Sequence, residues 1–370
     1  MGVFCCSITI KINKRELNQI TVKNDDFSFV YSVYSSLFIL NKFKNFILKY
    51  RSKSDIYMGK TLKEIFGQNP DKENEDIRKM NSKKIIYRIK KKKNDFGKTA
   101  GNIIIQILDL LNDEQIEGKK NQSSSDSFAH KDYQKSLEEY VKFHRSLYSN
   151  NKFSELFHGL LKRKIMLNPN ILYSFESFSY IELNLVDIYN KLSSEGRVFY
   201  NSFNVPEINL IDAIREEFSS KKSFFKGLEC FEQKSIYTTA PYLIFILNSQ
   251  KKIEKQISNY FSFGIFVYDD EIDISCLAEY AENNNKYKIS SIIKEKSINN
   301  NNTNNNTNNI NTNNINANKN ISNCNYKNIN VNEYGDFYYY ENNDKKFGKF
   351  NNPEYIYHVL IYKQLKDQTQ

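Results

Sequence analysis

The sequence has no tryptophan, and only five prolines, five cysteines and four histidines among its 370 residues. The cysteines stand at positions 5, 6, 230, 276 and 324, and apart from the adjacent Cys5 and Cys6 no two have short metal-ligand spacing. So odd and scattered a set excludes a disulfide-stapled scaffold. No apolar run reaches the roughly 18 residues that a membrane-spanning helix needs, so no span is expected. The opening stretch "MGVFCCSITIKINK" is too short in apolar residues for a secretory signal, and it lacks a basic start and a small-residue cleavage site. Gly2 after Met1 is how an acylated terminus begins, but Cys6 stands where Ser or Thr belongs, so no lipid anchor is expected. These absences point to a soluble intracellular protein of the cytoplasm or nucleus. They also restrict any imidazole base to His130, His144, His158 or His358.

Asparagine, lysine, isoleucine, tyrosine and phenylalanine dominate instead. The 53 Lys and Arg against 43 Asp and Glu leave a net charge of +10. Spread over this length, the surplus permits attraction to nucleic acid without requiring it. The densest basic run, "SKKIIYRIKKKKND" over 82–95, reads as an exposed loop or strand rim. An anionic contact through Lys90, Lys91, Lys92 and Lys93 is the alternative reading of that run.

The chain is long enough for a substantial core. Ile8, Ile10 and Ile12 alternate with polar residues as a strand does. Residues 28–50 read as one helix, with Val33, Leu37, Leu40, Phe43 and Ile47 at three- and four-residue steps. Asp25, Asp26 or Ser28 could cap it. "GNIIIQILDLLNDE" (101–114) is a second helix by the same spacing, and "SLEEYVKFHRSLYSN" a third. The polar segment 118–132 between them reads as a mobile linker.

From about Phe153 the pattern changes. "FSELFHGLLKRKIML" and "SFESFSYIELNL" look like short strands around a loop, and "INLIDAIREEF" like a short amphipathic helix. "APYLIFIL" has the length and apolarity of an interior strand, with Pro241 at its mouth. "FGIFVYDDEIDIS", "KYKISSIIK" and "EYIYHVLIYK" continue the strands. Helices first and strands after predict an α+β architecture. Between 298 and 321 the chain is nearly pure Asn and Thr, "INNNNTNNNTNNINTNNINANKNI". It cannot bury enough apolar surface to offset its ordering entropy and reads as a disordered insertion. Closing so long a loop adds little entropy cost, so the flanking strands can still pair.

In order and content these blocks resemble the ubiquitin-specific proteases, the papain-like deubiquitinases. "FSFVYSVYSSLFILNKFKNFI" is similar to that family's first box, in which a cysteine opens the central helix. "TAGNIIIQILDLLNDE" resembles the next helix, and "FSELFHGLLKRKI" with "SFESFSYIELNL" the entry to the fingers. "INLIDAIREEFSS", "KSIYTTAPYLIFILN" and "YDDEIDIS" follow as in the family, and "YKISSIIKEKS", "GDFYYYENN" and "YIYHVLIYK" resemble its closing strands. The resemblance spans most of the chain. It implies a single α+β domain over 1–370 with a helical thumb, a mixed palm sheet and reduced fingers.

It also implies where the chemistry would sit. Ser28 falls at the nucleophile position, Asp26 at the oxyanion position and Asn325, within "CNYKNI", at the general-base position. Asn342 falls at the orienting-acid position, with Asn343 and Asp344 beside it. A thiol at a helix N-terminus ionises readily beside an imidazole, whereas a serine hydroxyl is a far weaker acid and needs a base. Asn325 cannot take that proton, and a carboxylate at Asp26 opposes the negative charge an oxyanion site should stabilise. His358, on the last strand, is the one histidine near enough in sequence to substitute. Cys324 adjoins the base position. Relatives hold zinc with paired cysteines in the fingers, but here only Cys230 lies in that region, so neither a structural zinc nor any other cofactor is expected.

The expectation is a non-catalytic member of the fold: a binding or scaffolding module whose partner is ubiquitin or a ubiquitin-like protein. An active deubiquitinase, and a basic protein contacting nucleic acid, are the two alternatives.

Overall fold

The computed structural model describes residues 27–51, 57–93, 97, 99–117, 125–149, 151–200, 206–248, 250–253, 256–259, 271–275, 277, 285–296, 326–331, 337–341, 344–347 and 355–365. The strand at Ile8–Ile12, the thiols of Cys5 and Cys6, the stretch 118–124 and the Asn-rich tract 298–321 lie outside them.

Among the described residues, seven helices precede the first strand: α1 Ser28–Phe38, α2 Asn41–Leu48, α3 Met58–Gly67, α4 Glu75–Lys93, α5 Ala100–Ile116, α6 Tyr133–Tyr148 and α7 Lys152–Phe157. Several are started by side chains that accept the free amides of the first turn. Thr99 caps α5 through Asn102 N, Asp132 caps α6 through Lys135 N, and Asn151 caps α7 through the amides of Phe153 and Ser154.

Three expectations are corrected here. The run over 28–50 is two helices, not one: Leu40 is extended (φ −74°, ψ 91°) and restarts the chain as α2. No proline or glycine signals that break. Leu40 is buried where the chain turns so that Phe43 meets Phe66 and Phe157. The basic run over 82–95 is neither loop nor strand rim for its greater part, because residues 82–93 are the end of α4. Ile85, Ile86 and Ile89 bury one stripe of that helix, acidic Glu75 and Asp76 open it, and Lys90–Lys93 close it where the helix dipole favours cations. The start of "FSELFHGLL" is helical because Asn151 caps it, and the strand begins only at Gly159. In addition, the described part of the expected linker, 125–132, is tied down. Ser125–Phe128 form a 3-10 turn and His130 bridges to Tyr173.

The strands form two main sheets. A four-stranded antiparallel sheet has the order β2-β1-β7-β6, from β1 Gly159–Leu167, β2 Asn170–Phe178, β6 Lys221–Phe225 and β7 Leu228–Thr238. Its β6–β7 hairpin turns on Lys226 and Gly227, both with positive φ (49° and 82°), the conformation a two-residue hairpin loop needs. Between its strands fall β3 Ile181–Asn184, α8 Leu185–Ser194, the short pair β4 Phe199–Tyr200 and β5 Pro206–Glu207, and α9 Leu210–Glu217.

The larger sheet runs β15-β14-β13-β12-β16-β8-β3, with β11 also against β12. Its members are β3, β8 Tyr242–Asn248, β11 Glu271–Asp273, β12 Lys286–Lys296, β13 Tyr326–Val331, β14 Phe337–Glu341, β15 Asp344–Phe347 and β16 Tyr355–Gln364. A separate ribbon pairs β9 Gln250–Ile253 with β10 Gln256–Asn259. Among the described residues, only β3 and β8 pair in parallel in the large sheet, and its other pairs are antiparallel.

This sheet is buried on both faces, which is why β8 reads as a continuous apolar run. Tyr242, Ile244 and Ile246 face the core made with α1–α5 and α7, while Leu243, Phe245 and Leu247 face a second core under α8 and α9. Helix α5 lies so close to the sheet that a Cβ on Gly101 would stand 2.8 Å from Ile246 Cγ2. The architecture is the predicted mixed α+β one.

Candidate functional site: the tip of the first helix and an adjoining groove

Ser28 is the first residue of α1 and is half-buried. Phe27 precedes it at the capping position and makes no side-chain capping bond. Of the expected caps, Asp25 and Asp26 lie outside the described residues, and so do Asn325, Asn342, Asn343 and Cys324. What the structure does show is how the elements that abut those positions are arranged. Strand β13 begins at Tyr326 and β14 ends at Glu341. Their antiparallel register, Asn330 opposite Tyr338, brings that beginning and that end to one end of the hairpin.

Helix α1 is fixed to this hairpin near its turn by a buried polar chain. Ser36 Oγ lies 2.8 Å from Ser291 Oγ on β12, which lies 3.0 Å from Asn330 Oδ1 on β13. Because the amide oxygen can only accept, Ser291 donates to Asn330 and accepts from Ser36. A second chain anchors the helix on its other side, where Tyr34 donates to Glu73 at 2.6 Å and Asn81 donates to the same carboxylate at 2.7 Å. Burial raises the Glu73 pKa, with the hydrogen bonds from Tyr34 and Asn81 acting against it.

The histidines are placed apart from one another's expected roles. His130 Nε2 is 2.7 Å from Glu139 on α6. His358 is buried on β16 where pairing with β12 slips between Lys294–Tyr357 and Ile293–Val359, and its backbone carbonyl faces Gly101 of α5. His144 and His158 pack against each other with ring centroids 5.7 Å apart, and Tyr148 tilts over His144 and meets His158 edge to face. Burial lowers the pKa of His144 to about 4 and that of His158 to about 3, the neighbouring imidazole adding to the second. Both are therefore neutral at pH 7.

Their folded pKa values lie below the unfolded value near 6.5, so their contribution is full above about pH 6.5. It is lost as pH falls towards 4, because the unfolded chain takes up protons that the folded one refuses. Urea midpoints measured from pH 7 to pH 4 should fall more steeply for the wild type than for H144F/H158F; parallel slopes would refute the burial of the pair.

Next to His158 opens a groove of about 810 Å³ between α5, the four-stranded sheet, β3 and the end of α9. Its floor is a charged network on the sheet. Arg163 reaches Glu232 at 2.9 Å and Asp126 at 2.7 Å, and Lys234 reaches Glu176 at 2.8 Å. Burial works against the Arg163 charge, but the hydrogen bonds and charge of Glu232 and Asp126 outweigh it and hold the pKa above the ordinary value. The same pairing outweighs burial at Glu232 and holds that carboxyl below the usual range. The opposite wall carries Asp109, Glu182 and Glu217. Burial raises the Glu182 pKa, and the charges of Glu217 and Asp109 raise it further. None of these groove residues was singled out by sequence reading. Alternating charges on β1 and β7 are visible in the sequence, but which strands lie side by side is not.

Cys230, the one cysteine in the described residues, is buried in a small cluster with Ile165 and Phe225, and burial pushes its thiol pKa up. Among the described residues no group of three or more His, Cys, Asp or Glu could hold a metal ion, and no helix is long and apolar enough to cross a membrane.

A helical layer led by α1, a large sheet closed by β16 and a smaller four-stranded sheet flanking a groove make up the fold of the ubiquitin-specific-protease type of deubiquitinase. No family model matches the sequence, and no curated protein matches it. The likeness is to solved structures. A chain of the SAGA Ubp8/Sgf11/Sus1/Sgf73 DUB module superposes with a TM-score of 0.57 at 10% identity, covering 98% of this chain and 72% of that one. A chain of the same module bound to ubiquitin aldehyde gives 0.56 at 10% identity, covering 92% of this chain and 68% of that one. The yeast SAGA DUB module gives 0.52 at 11%, covering 92% and 66%. At such identities the likeness establishes the fold.

Proposed function

We propose that this chain is a non-catalytic module of the ubiquitin-specific-protease fold that binds ubiquitin or a ubiquitin-like protein. The observation that carries the reading is Ser28 at the tip of α1: the helix that would present a thiolate presents a hydroxyl. A serine hydroxyl is a far weaker acid than a cysteine thiol and a poorer nucleophile in its place. At the positions matched to the rest of the site the sequence has Asp26, Asn325 and Asn342, none of which supplies the base or the oxyanion donor. A protein of this fold is known bound to ubiquitin aldehyde. Here the groove beside α5 is lined by Asp109, Glu182 and Glu217; Asp109 is paired with Lys93 and Glu217 with Lys221, so Glu182 is the carboxylate that suits a cation of an extended partner segment. Cytoplasm or nucleus is where such a partner is met.

The test is reaction with a ubiquitin C-terminal electrophile, alongside titration of isotope-labelled ubiquitin followed by NMR. We expect no covalent adduct and a set of ubiquitin resonances that shift in a saturable way. Glu182→Lys should weaken that binding at least several-fold. An adduct that disappears in Ser28→Ala would establish the deubiquitinase alternative. Absence of both adduct and shifts would overturn ubiquitin as the partner.

A further inference from the structure

The four-stranded sheet has a second face, turned away from the groove. Met166 on β1 stands opposite Ile171 of β2 and Phe231 of β7, and Phe231 stands opposite Lys222 of β6. Residues directly opposite share a face, so these four form one row across the sheet. Phe224, two residues beyond Lys222, joins them. Towards the base this face is covered: Tyr133 at the start of α6 packs on Tyr173, Phe175 and Tyr237. Beyond α6 the cover stops, leaving Phe224 66%, Phe231 55% and Ile171 42% exposed.

Single exposed apolar residues need no explanation, but a contiguous row of them at one end of a sheet does. The surrounding charge is positive. Lys164 lies on the same face between Tyr173 and Gln233, Lys222 sits in the row, and Lys226 is at the hairpin turn; the one acid nearby is Glu229, 2.9 Å from Lys222. A second copy of this chain would bring these lysines against one another. The patch, on the order of a few hundred Å², is also well short of the roughly 1,200–2,000 Å² that a stable dimer buries.

We propose that this outer face of the sheet docks a short acidic segment of a partner protein that carries aromatic or branched aliphatic side chains. Its apolar side chains cover Phe224, Phe231 and Ile171, and its carboxylates meet Lys164 and Lys222. Phe224, Phe231, Ile171 and Lys164 do not line the groove, and only Lys222 of this row borders it, so docking on the apolar residues does not depend on what the groove binds.

The experiment uses the full chain as bait for a random-peptide display library, with F224S/F231S as the counter-bait. Enriched peptides are synthesised and their binding measured by fluorescence anisotropy. Both substituted rings are already in solvent, so the double variant should melt within a degree or two of the wild type. Peptides enriched on the wild type should combine Asp or Glu with large apolar residues. They should lose at least tenfold affinity for F224S/F231S and several-fold for K164E, while ubiquitin titration of both variants stays unchanged. The proposal is overturned if no peptide discriminates wild type from F224S/F231S, or if the discriminating peptides lack acidic residues. It is equally overturned if the wild type sediments as a dimer that F224S/F231S dissociates, which would make the occupant a second copy.

Discussion

Phe43→Ala is expected to destabilise the protein by about 3–5 kcal/mol, the range for removing a fully buried aromatic side chain. Phe43 has no exposed surface and joins three helices: its ring centroid lies 6.1 Å from that of Phe66 on α3 and 5.2 Å from that of Phe157 on α7. It stands three residues after the break between α1 and α2. The ring therefore packs the turn that aims α1 along the sheet. Removing it leaves a void lined by Phe66, which packs on Phe38 of α1, and Phe157, which packs on Tyr242 of β8, so little collapse can offset the loss. A fall in melting temperature of about 4–6 °C should follow. Phe43→Leu, which keeps most of the volume, should cost much less. Differential scanning calorimetry checks both, and a loss below about 1 kcal/mol for the alanine variant would show that the three helices are not joined through this ring.

Arg163→Met should cost about 2–4 kcal/mol, towards the lower part of the range for breaking a buried ion pair. Methionine fills much of the volume but leaves Glu232 and Asp126 without the guanidinium. The cost is moderated because Lys234 stays within 2.8 Å of Glu176 and 3.8 Å of Glu232. The pH dependence distinguishes this from a packing defect. In the wild type the Glu232 carboxyl is held below the usual range, so its contribution is present above the unfolded carboxylate pKa, about 4.3, and is lost as pH falls. In the variant that depression disappears, and protonating the crowded carboxylates relieves repulsion. The gap in stability between wild type and variant should therefore be widest near pH 7 and narrow as pH falls through about 4 and below. A gap independent of pH would refute the electrostatic account.

Several elements are legible locally because their signals are local. The spacing of Ile104, Ile107, Leu108 and Leu111 within α5, the capping Asn209 before α9 and the unbroken apolar run of β8 each follow from a few consecutive residues. Where the reading failed, long-range packing overrode a local cue. The lysines of 82–95 hide the Ile85, Ile86 and Ile89 stripe, which becomes decisive only once the core under α4 exists. The break at Leu40 has no residue to announce it, and α7 starts inside a segment that reads as strand because a single Asn cap turns the chain. The groove was less legible still. Arg163 and Glu232 are 69 residues apart, and Glu182 and Asp109 come from a strand and a helix that no periodicity connects.

The sequence by itself determined which atom the first residue of α1 carries: a hydroxyl at Ser28, at the position where the resembling family has a thiol. Side-chain identity is covalent, and no fold can add an ionisable group that the chain lacks. Only the tertiary structure decided that an acidic wall faces an Arg163-centred network across one groove, and that an apolar row surfaces on the sheet's far side. Those arrangements depend on strand register and helix placement, which residues distant in sequence set together through burial.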